Sequence, residues 1–372
     1  MNFEFSDDQN MLRDQARRFL DSKSPSSEVR RILDGGEAYH ADLWKAVAEM
    51  GWLGTAVPES YGGIEAGYLE LCVIAEELGR SLAPIPFSSS VYLCTEALLR
   101  AGSEEQKQRL LPGLASGERI GTLAVWERAG GLSPAAVTAR TENGRISGRK
   151  RPVPDATVAD LAVVAARTGD GERDLGLFLV ELGGDGVSRR ELKSVDASRS
   201  LGEVTFDGAA AEPLGEPRQG WQLLESILDR AAVLVAFEQL GGAQASLDMA
   251  RDYALERYAF GRPIGSFQAI KHRLADMFAA TELARSNCYF GAWALSSDAP
   301  ELPVAAATAR VGACDAFHQC ARENIQVHGG MGFTWEADPH LYYRRSKLLD
   351  LVLGSPLHWK DLLVSRLEAR AA

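Results

Sequence analysis

Leu255–His272 reads LERYAFGRPIGSFQAIKH, a short charged turn set between two stretches of helical periodicity. Upstream, Leu247, Ala250, Ala254 and Leu255 recur at helical spacing, and downstream Ile270, Leu274 and Met277 resume it, so the segment reads as helix, turn, helix. Gly261, Pro263 and Gly265 make the turn. Arg257 and Arg262 flank it, two guanidinium forks suited to a phosphate or a carboxylate. On its own such a turn reads as a solvated helix connection.

Working outward, the first 118 residues keep a helical pattern. Ser6 with Gln9, and Ser103 with Gln106, are S-x-x-Q capping boxes, each able to satisfy two free amide donors. Leu12, Ala16, Phe19 and Leu20 mark one apolar face, Leu69 to Leu78 reads as a buried helix, and the glycine-rich run 51–67 is expected to be a long ordered loop. At Thr122 the period turns extended. Asn143-Gly144 inside VTARTENGRI is a hairpin turn, and 161–166, 175–182 and 204–206 add strands rich in Val, Leu and Phe, which together imply an antiparallel middle domain. After the loop 215–220 the chain returns to helix, and AAVLVAFEQL at 231–240 is apolar on nearly every face, as expected inside a helical bundle. The expected fold is therefore mainly α with a β middle domain: 1–118 helical, 119–215 β, 216–372 a helical bundle.

A chain of 372 residues with a net charge of −11 and no sustained basic stripe lacks the electrostatic footprint of nucleic-acid binding. The odd cysteine count, without a C-x-x-C pair, reads as reduced core thiols. MNFEFSDDQ carries no basic, apolar signal region and no apolar run is long enough to span a bilayer, so cytoplasm is the expected location. The six histidines show no metal-ligand spacing.

Arg257, Phe260, Gly261, Pro263, Ile264, Phe267 and Gln268 resemble the R-x-x-F-G-x-P-I-x-x-F-Q signature of the acyl-CoA dehydrogenase family. Gln326 to Phe333, QVHGGMGF, resembles the family's Q-x-x-G-G-x-G-F segment, and Tyr343-Arg344 its Y-R pair. The resemblance covers almost the whole chain and implies a three-part fold. It also implies FAD as cofactor, an acyl-CoA substrate of fatty, branched or sterol side-chain type, and a trans-2-enoyl-CoA product. Arg257, Phe260 and Gln268 of one subunit would hold the pyrophosphate and adenine half of a neighbouring subunit's FAD, with Gln326, Gly329 and Gly330 continuing the site. A dimer or tetramer, of like or unlike chains, and an electron acceptor such as an electron-transfer flavoprotein follow from the same resemblance. For Gly329 and Gly330 a helix stop is the competing reading.

Two departures qualify that picture. Where relatives carry T-E-P-x-A-G-S against the flavin ring, this chain has WERAGG, with only Glu127 and Gly131 in register, and RPVPDAT at 151–157 replaces the usual tryptophan and hydroxyl. The position of the family's proton-abstracting glutamate holds Leu353, and the alternative position on the preceding helix holds Ala231 and Ala232. Asp229 is the candidate base if that helix is shifted by two residues, its competing reading being a helix-start carboxylate beside Gly220. Glu238 is either a site residue or a salt-bridged core group. His328 and His340 read as packing or surface residues. The alternatives are a base-lacking partner subunit of a mixed assembly, a flavin oxidase or monooxygenase on the same scaffold, and a non-catalytic scaffold.

Overall fold

The computed structural model describes residues 5–35, 37–128, 132–171, 174–216 and 219–371. Helix α1 (Asp7–Lys23) starts at a formed capping box: the Ser6 hydroxyl accepts from the Gln9 amide at 3.2 Å and Gln9 Oε1 accepts from the Ser6 amide at 2.9 Å. Helices α2 (Ser26–Leu33), α3 (Ala41–Glu49) and α4 (Tyr68–Arg80) follow. Between α3 and α4 the expected loop is two 3-10 turns, Trp52–Gly54 and Glu59–Tyr61, tied by Ile64 N–H to Gly54 O at 3.0 Å. A π-helical stretch, Ser88–Thr95, is buried throughout and runs into α5 (Glu96–Ala101), and α6 (Glu104–Ala115) opens at the second capping box, Ser103 with Gln106.

The sheet is built from β1 (Gly121–Ala124), β2 (Arg140–Glu142), β3 (Arg145–Pro154), β4 (Leu161–Arg167), β5 (Leu175–Glu181), β6 (Val187–Glu191), β7 (Leu201–Ala210) and β8 (Glu212–Leu214). Its order is β6-β7-β3-β2-β4-β5-β8, with β1 against β4. Asn143 at φ +50° and Gly144 at φ +73° close the β2–β3 turn, both positive as a two-residue turn of type I′ demands. The pairing is mainly antiparallel; β1 runs parallel to β4, and β2 meets β4 parallel at Arg140↔Arg167. Strand β4 is buried at every position but its last, and its apolar run without alternation is that of a strand covered on both faces.

The C-terminal region comprises α7 (Gly220–Glu256), the hairpin β9 (Tyr258–Ala259) and β10 (Arg262–Pro263), α8 (Gln268–Ser296), α9 (Leu302–His328), α10 (Pro339–Leu351) and α11 (Pro356–Ala371). Every residue from Ala231 to Leu240 is at most 2% exposed, which is why that decapeptide is apolar but for Glu238 and Gln239. Two compact units divide the chain: Met1–Val29, Cys72–Ala83 and Ala232–Ala372 form a helical one, and Arg30–Leu71 with Pro84–Ala231 contains the sheet. Among the described residues no helix is long and apolar enough to cross a membrane, and no group of side chains could hold a metal ion. The five cysteines are buried and none forms a disulfide.

One sequence reading needs correction here. Asp229 is not a helix-start carboxylate: α7 begins at Gly220, so Asp229 lies well inside it, 4% exposed, beyond the first turn where the helix dipole acts.

Candidate functional site

In the helical unit, the two sequence motifs are brought together by the ends of three helices. Tyr253, in the last turns of α7, stacks on His328 at the end of α9 with ring centroids 4.0 Å apart. The Asn324 amide donates to Met249 Sδ at 3.3 Å one turn earlier. The hairpin carrying Arg257 thus lies beside the segment carrying Gln326, Gly329 and Gly330.

The hairpin itself is strained. Phe260 at φ +54° and Gly261 at φ +79° form its two-residue turn, and a phenylalanine in the left-handed region is a genuine outlier. Phe260 is also 95% exposed. Its ring meets Phe267 edge-on at 6.2 Å, and the Arg262 guanidinium lies over Phe267 at 4.1 Å. Such strain at an exposed apolar side chain points to a use outside the fold of the single chain.

Arg257, Gln268 and Gln326 are exposed, and their side chains take no part in the hydrogen bonds or ion pairs of the described residues. Gln268 opens α8, whose N-cap, Phe267, offers no side-chain acceptor to the first amides. A helix N-terminus beside two unpaired guanidinium groups is suited to a phosphate. Gly329 at φ +61° ends α9, a stop that glycine makes cheaply. Gly330 has no such conformation, and a Cβ there would meet nothing within 4 Å, so packing within this chain does not require glycine at 330. These groups fit the diphosphate end of the implied cofactor.

His328 is held by stacking and by its Nδ1 against Asn324 O at 2.9 Å, and burial pushes its pKa down. His340 stacks on Trp335 with centroids 5.0 Å apart. Both are packing groups.

The carboxylates separate clearly. Leu353, in the turn between α10 and α11, is 1% exposed, and Ala231 and Ala232 are fully buried. Glu238 lies 3.7 Å from Arg345, both side chains almost fully buried, and Arg345 also donates to Leu82 O at 3.1 Å. It is a salt-bridged core group. In the sheet-containing unit, Asp229 is followed by Arg230, whose Nε donates to Glu96 Oε1 while its guanidinium covers the Tyr68 ring at 4.6 Å. Tyr68 donates to Glu96 Oε2 at 2.7 Å. Burial, then the Glu96 charge, holds the Tyr68 proton far above the ordinary range. Neither this triad nor the π-helix beside it was found from sequence, because its members are 28 and 134 positions apart.

Glu127 accepts from Lys150 Nζ at 2.6 Å, from the Thr138 amide at 2.9 Å, from the Ala139 amide at 2.9 Å and from the Thr138 hydroxyl. Burial alone would raise the Glu127 pKa; the Lys150 ammonium and these hydrogen bonds outweigh it and hold the carboxyl below its usual range. Lys150 has a fully buried side chain and is pushed down to about 8 by burial, against the pull of Glu127. Gly131 lies outside the described residues. Two surface hollows of about 460 Å³ open on this unit, one around Arg109, Arg145 and Glu212, the other around Arg100, Ser103 and Gln219, and neither includes a motif residue.

Known proteins of similar sequence and fold show the family. The acyl-CoA dehydrogenase N-terminal domain matches residues 6–118 and the acyl-CoA dehydrogenase C-terminal domain matches 218–356. The chain is 33% identical over 353 residues to the acyl-CoA dehydrogenase IpdE2 of Mycobacterium tuberculosis, 94% of each being covered. Butyryl-CoA dehydrogenase from Megasphaera elsdenii superposes with a TM-score of 0.90 at 25% identity, covering 99% of this chain and 100% of that one. The ChsE4-ChsE5 complex of Mycobacterium tuberculosis gives 0.90 at 29% identity and 99% coverage of both chains. The chain belongs to the acyl-CoA dehydrogenase family of flavoprotein oxidoreductases, with that family's three-domain fold.

Proposed function

We propose that this chain serves the FAD-dependent α,β-dehydrogenation of an acyl-CoA thioester as a supporting subunit, the proton-abstracting carboxylate coming from a second, different acyl-CoA dehydrogenase chain. The observation that carries this reading is the filling of both base positions by buried apolar side chains, Leu353 at 1% exposure and Ala231 and Ala232 at 0%. In such a reaction the α C–H bond must give up a proton, and a leucine or an alanine has no group to receive it. Bound FAD supplies acceptance of the hydride from the β-carbon.

Asp229 does not remedy the lack. Two residues along a helix turn a side chain by about 200°, so it points away from the face that Ala231 presents. Glu238 is committed to Arg345. What this chain offers is the exposed Arg257, Gln268 and Gln326, placed to receive a diphosphate and so to orient a cofactor whose reacting end lies elsewhere. A similar solved assembly, the ChsE4-ChsE5 complex, pairs two differently named chains. The electrons would pass on to an acceptor such as an electron-transfer flavoprotein.

The test is an anaerobic visible spectrum during titration with a panel of acyl-CoA thioesters, taken on the purified chain with added FAD and again after mixing with candidate acyl-CoA dehydrogenase partners. No bleaching alone, and bleaching with a partner, is expected. Bleaching of a flavin band in the chain alone would overturn the supporting role.

A further inference from the structure

We propose that the open edge of β6 is a docking site for an extended acidic segment of a partner protein, which joins the sheet as a further strand with its carboxylates on the face that carries Arg190. An unpaired strand edge, an excess of guanidinium groups on one of its faces and a carboxylate built in to hold them lie together there.

The sheet order ends at β6. Among the described strands β6 pairs only with β7, and Ser188 to Glu191 are exposed. A strand so placed turns one row of its backbone N–H and C=O groups away from the sheet. An extended peptide answers that row with its own main chain, and its alternate side chains then meet one face.

One face of this edge is cationic. Ser188 stands opposite Thr205, Thr205 opposite Arg149, and Arg190 opposite Glu203. Directly opposed residues share a face, and so do residues two apart along a strand. The Glu203 carboxylate lies 3.1 Å from Arg190, 3.3 Å from Arg151 and 3.9 Å from Arg149. Glu203 is almost buried, whereas the three arginine side chains are 43–66% exposed. One carboxylate among three guanidinium groups leaves two positive charges over. The other carboxylate of this face, Asp207, is four positions from Glu203, opposite Ser147, and forms no ion pair among the described residues. A chain whose net charge is −11 thus presents a local excess of positive charge at an open strand edge.

The grouping frees Arg190 for a ligand. If Arg190 turns to an incoming carboxylate, Arg149 and Arg151 stay beside Glu203, so no buried charge is left without compensation. The opposite face of β6 gives no such welcome. Arg189 there is tied to Ala156 O, Thr157 O and Ala159 O at 3.2, 3.3 and 2.8 Å, and Glu191 repels an acid. Carboxylates are therefore accepted at alternate positions of the added strand only. A free phosphate fits less well: neither surface hollow includes Arg149, Arg151 or Arg190, so it would stay in water, where an exposed ion pair contributes little. A strand adds main-chain hydrogen bonds to the charge pairing.

The experiment follows the fluorescence anisotropy of labelled heptapeptides mixed with the purified chain. The probes are Thr-Glu-Thr-Glu-Thr-Glu-Thr, the same residues reordered as Thr-Thr-Glu-Glu-Glu-Thr-Thr, and the first peptide with every backbone amide N-methylated. The alternating peptide should bind about tenfold tighter than either of the others. Arg190→Gln, an exposed substitution, should weaken it by about fivefold or more with the circular dichroism unchanged, while Arg140→Gln, at an exposed arginine of β2 paired with Asp170, should leave it within about twofold. Equal binding of the alternating and N-methylated peptides would reduce the effect to charge alone and overturn the proposal, as would no binding of any of them. Displacement of the peptide by millimolar inorganic phosphate at constant ionic strength would make this a small-anion site instead, and self-association of the chain that Arg190→Gln abolishes would give the edge to a second copy; either result defeats the acidic strand.

Discussion

Glu96, Arg230 and Tyr68 form a closed polar cluster in which each charge is almost fully buried. Removing one partner leaves an uncompensated charge away from water, so Arg230→Met is expected to cost about 3–5 kcal/mol, whereas Tyr68→Phe removes one hydrogen bond to a charge and costs about 1.5–3 kcal/mol. Urea unfolding measures both, and an Arg230→Met loss no larger than that of Tyr68→Phe would refute the arrangement. Asp229→Asn in the mixed assembly should leave turnover intact; a loss of about a hundredfold or more with flavin retained would restore Asp229 as the base. The Glu127–Lys150 pair sets a pH response of definite sign. Glu127 is held below its ordinary 4.5 in the folded state, so its stabilisation is present above that value and is lost as pH falls through the lower folded one. Lys150, near 8 instead of 10.5, binds its proton less tightly when folded, so its contribution rises with pH across that window. The urea midpoint of the wild type should therefore drop on the acid side, and Glu127→Gln should flatten that limb; parallel acid limbs would dismiss the pair.

At the scale of elements, α4 and α7 cross at glycine. A Cβ on Gly79 would strike the Glu238 backbone, and one on Gly241 would strike the Glu76 carbonyl. Backbone cannot move aside as a side chain can, so Gly241→Ala is expected to cost about 3 kcal/mol or more. Gly330→Ala, with nothing within 4 Å of the new atom, should change stability by less than about 0.5 kcal/mol and act only on ADP and FAD binding. Thermal unfolding of the two variants decides between them: equal losses would mean that Gly330 is a structural glycine after all. The capping boxes at Ser6 and Ser103 belong to the same scale, since each replaces two unsatisfied amides by local bonds and fixes where a helix begins.

Over the whole molecule, large apolar side chains stay uncovered on several elements of the helical unit, the hairpin and α11 among them. Tyr258, Phe260, Met331 and Phe333 lie 51–95% exposed around the arginine hairpin, and Leu357, Val364 and Leu367 lie 49–67% exposed along α11. Isolated exposed apolar residues are ordinary, but groups of them rimmed by charge mark association surfaces. Sedimentation of the chain with its partner is expected to give an assembly of at least two chains. A monomer retaining FAD at full occupancy would contradict both the assembly and the cofactor arrangement.

The sequence by itself determined the parts whose causes are local. The Ser-x-x-Gln boxes, the Asn143-Gly144 turn, the apolar run 231–240 and the break at 257–268 each depend on residues within a few positions of one another, and the structure has them where the sequence put them. The polar strand β6 escaped because its residues are mostly exposed and its place is fixed only by pairing with β7, Arg190 against Glu203. The parallel contacts of β4 escaped for the same reason. Only the tertiary structure decided the fate of the charges. Glu238 became a core ion pair because Arg345 reaches it from another helix, and Glu96 met Arg230 and Tyr68 across long stretches of chain. It also separated the polar groups that the fold consumes, at Glu127 and Thr157, from those left exposed, at Arg257, Gln268 and Gln326. Periodicity records which face of an element is apolar; which distant group satisfies a given charge depends on how the elements pack, and spacing along the chain carries no trace of it.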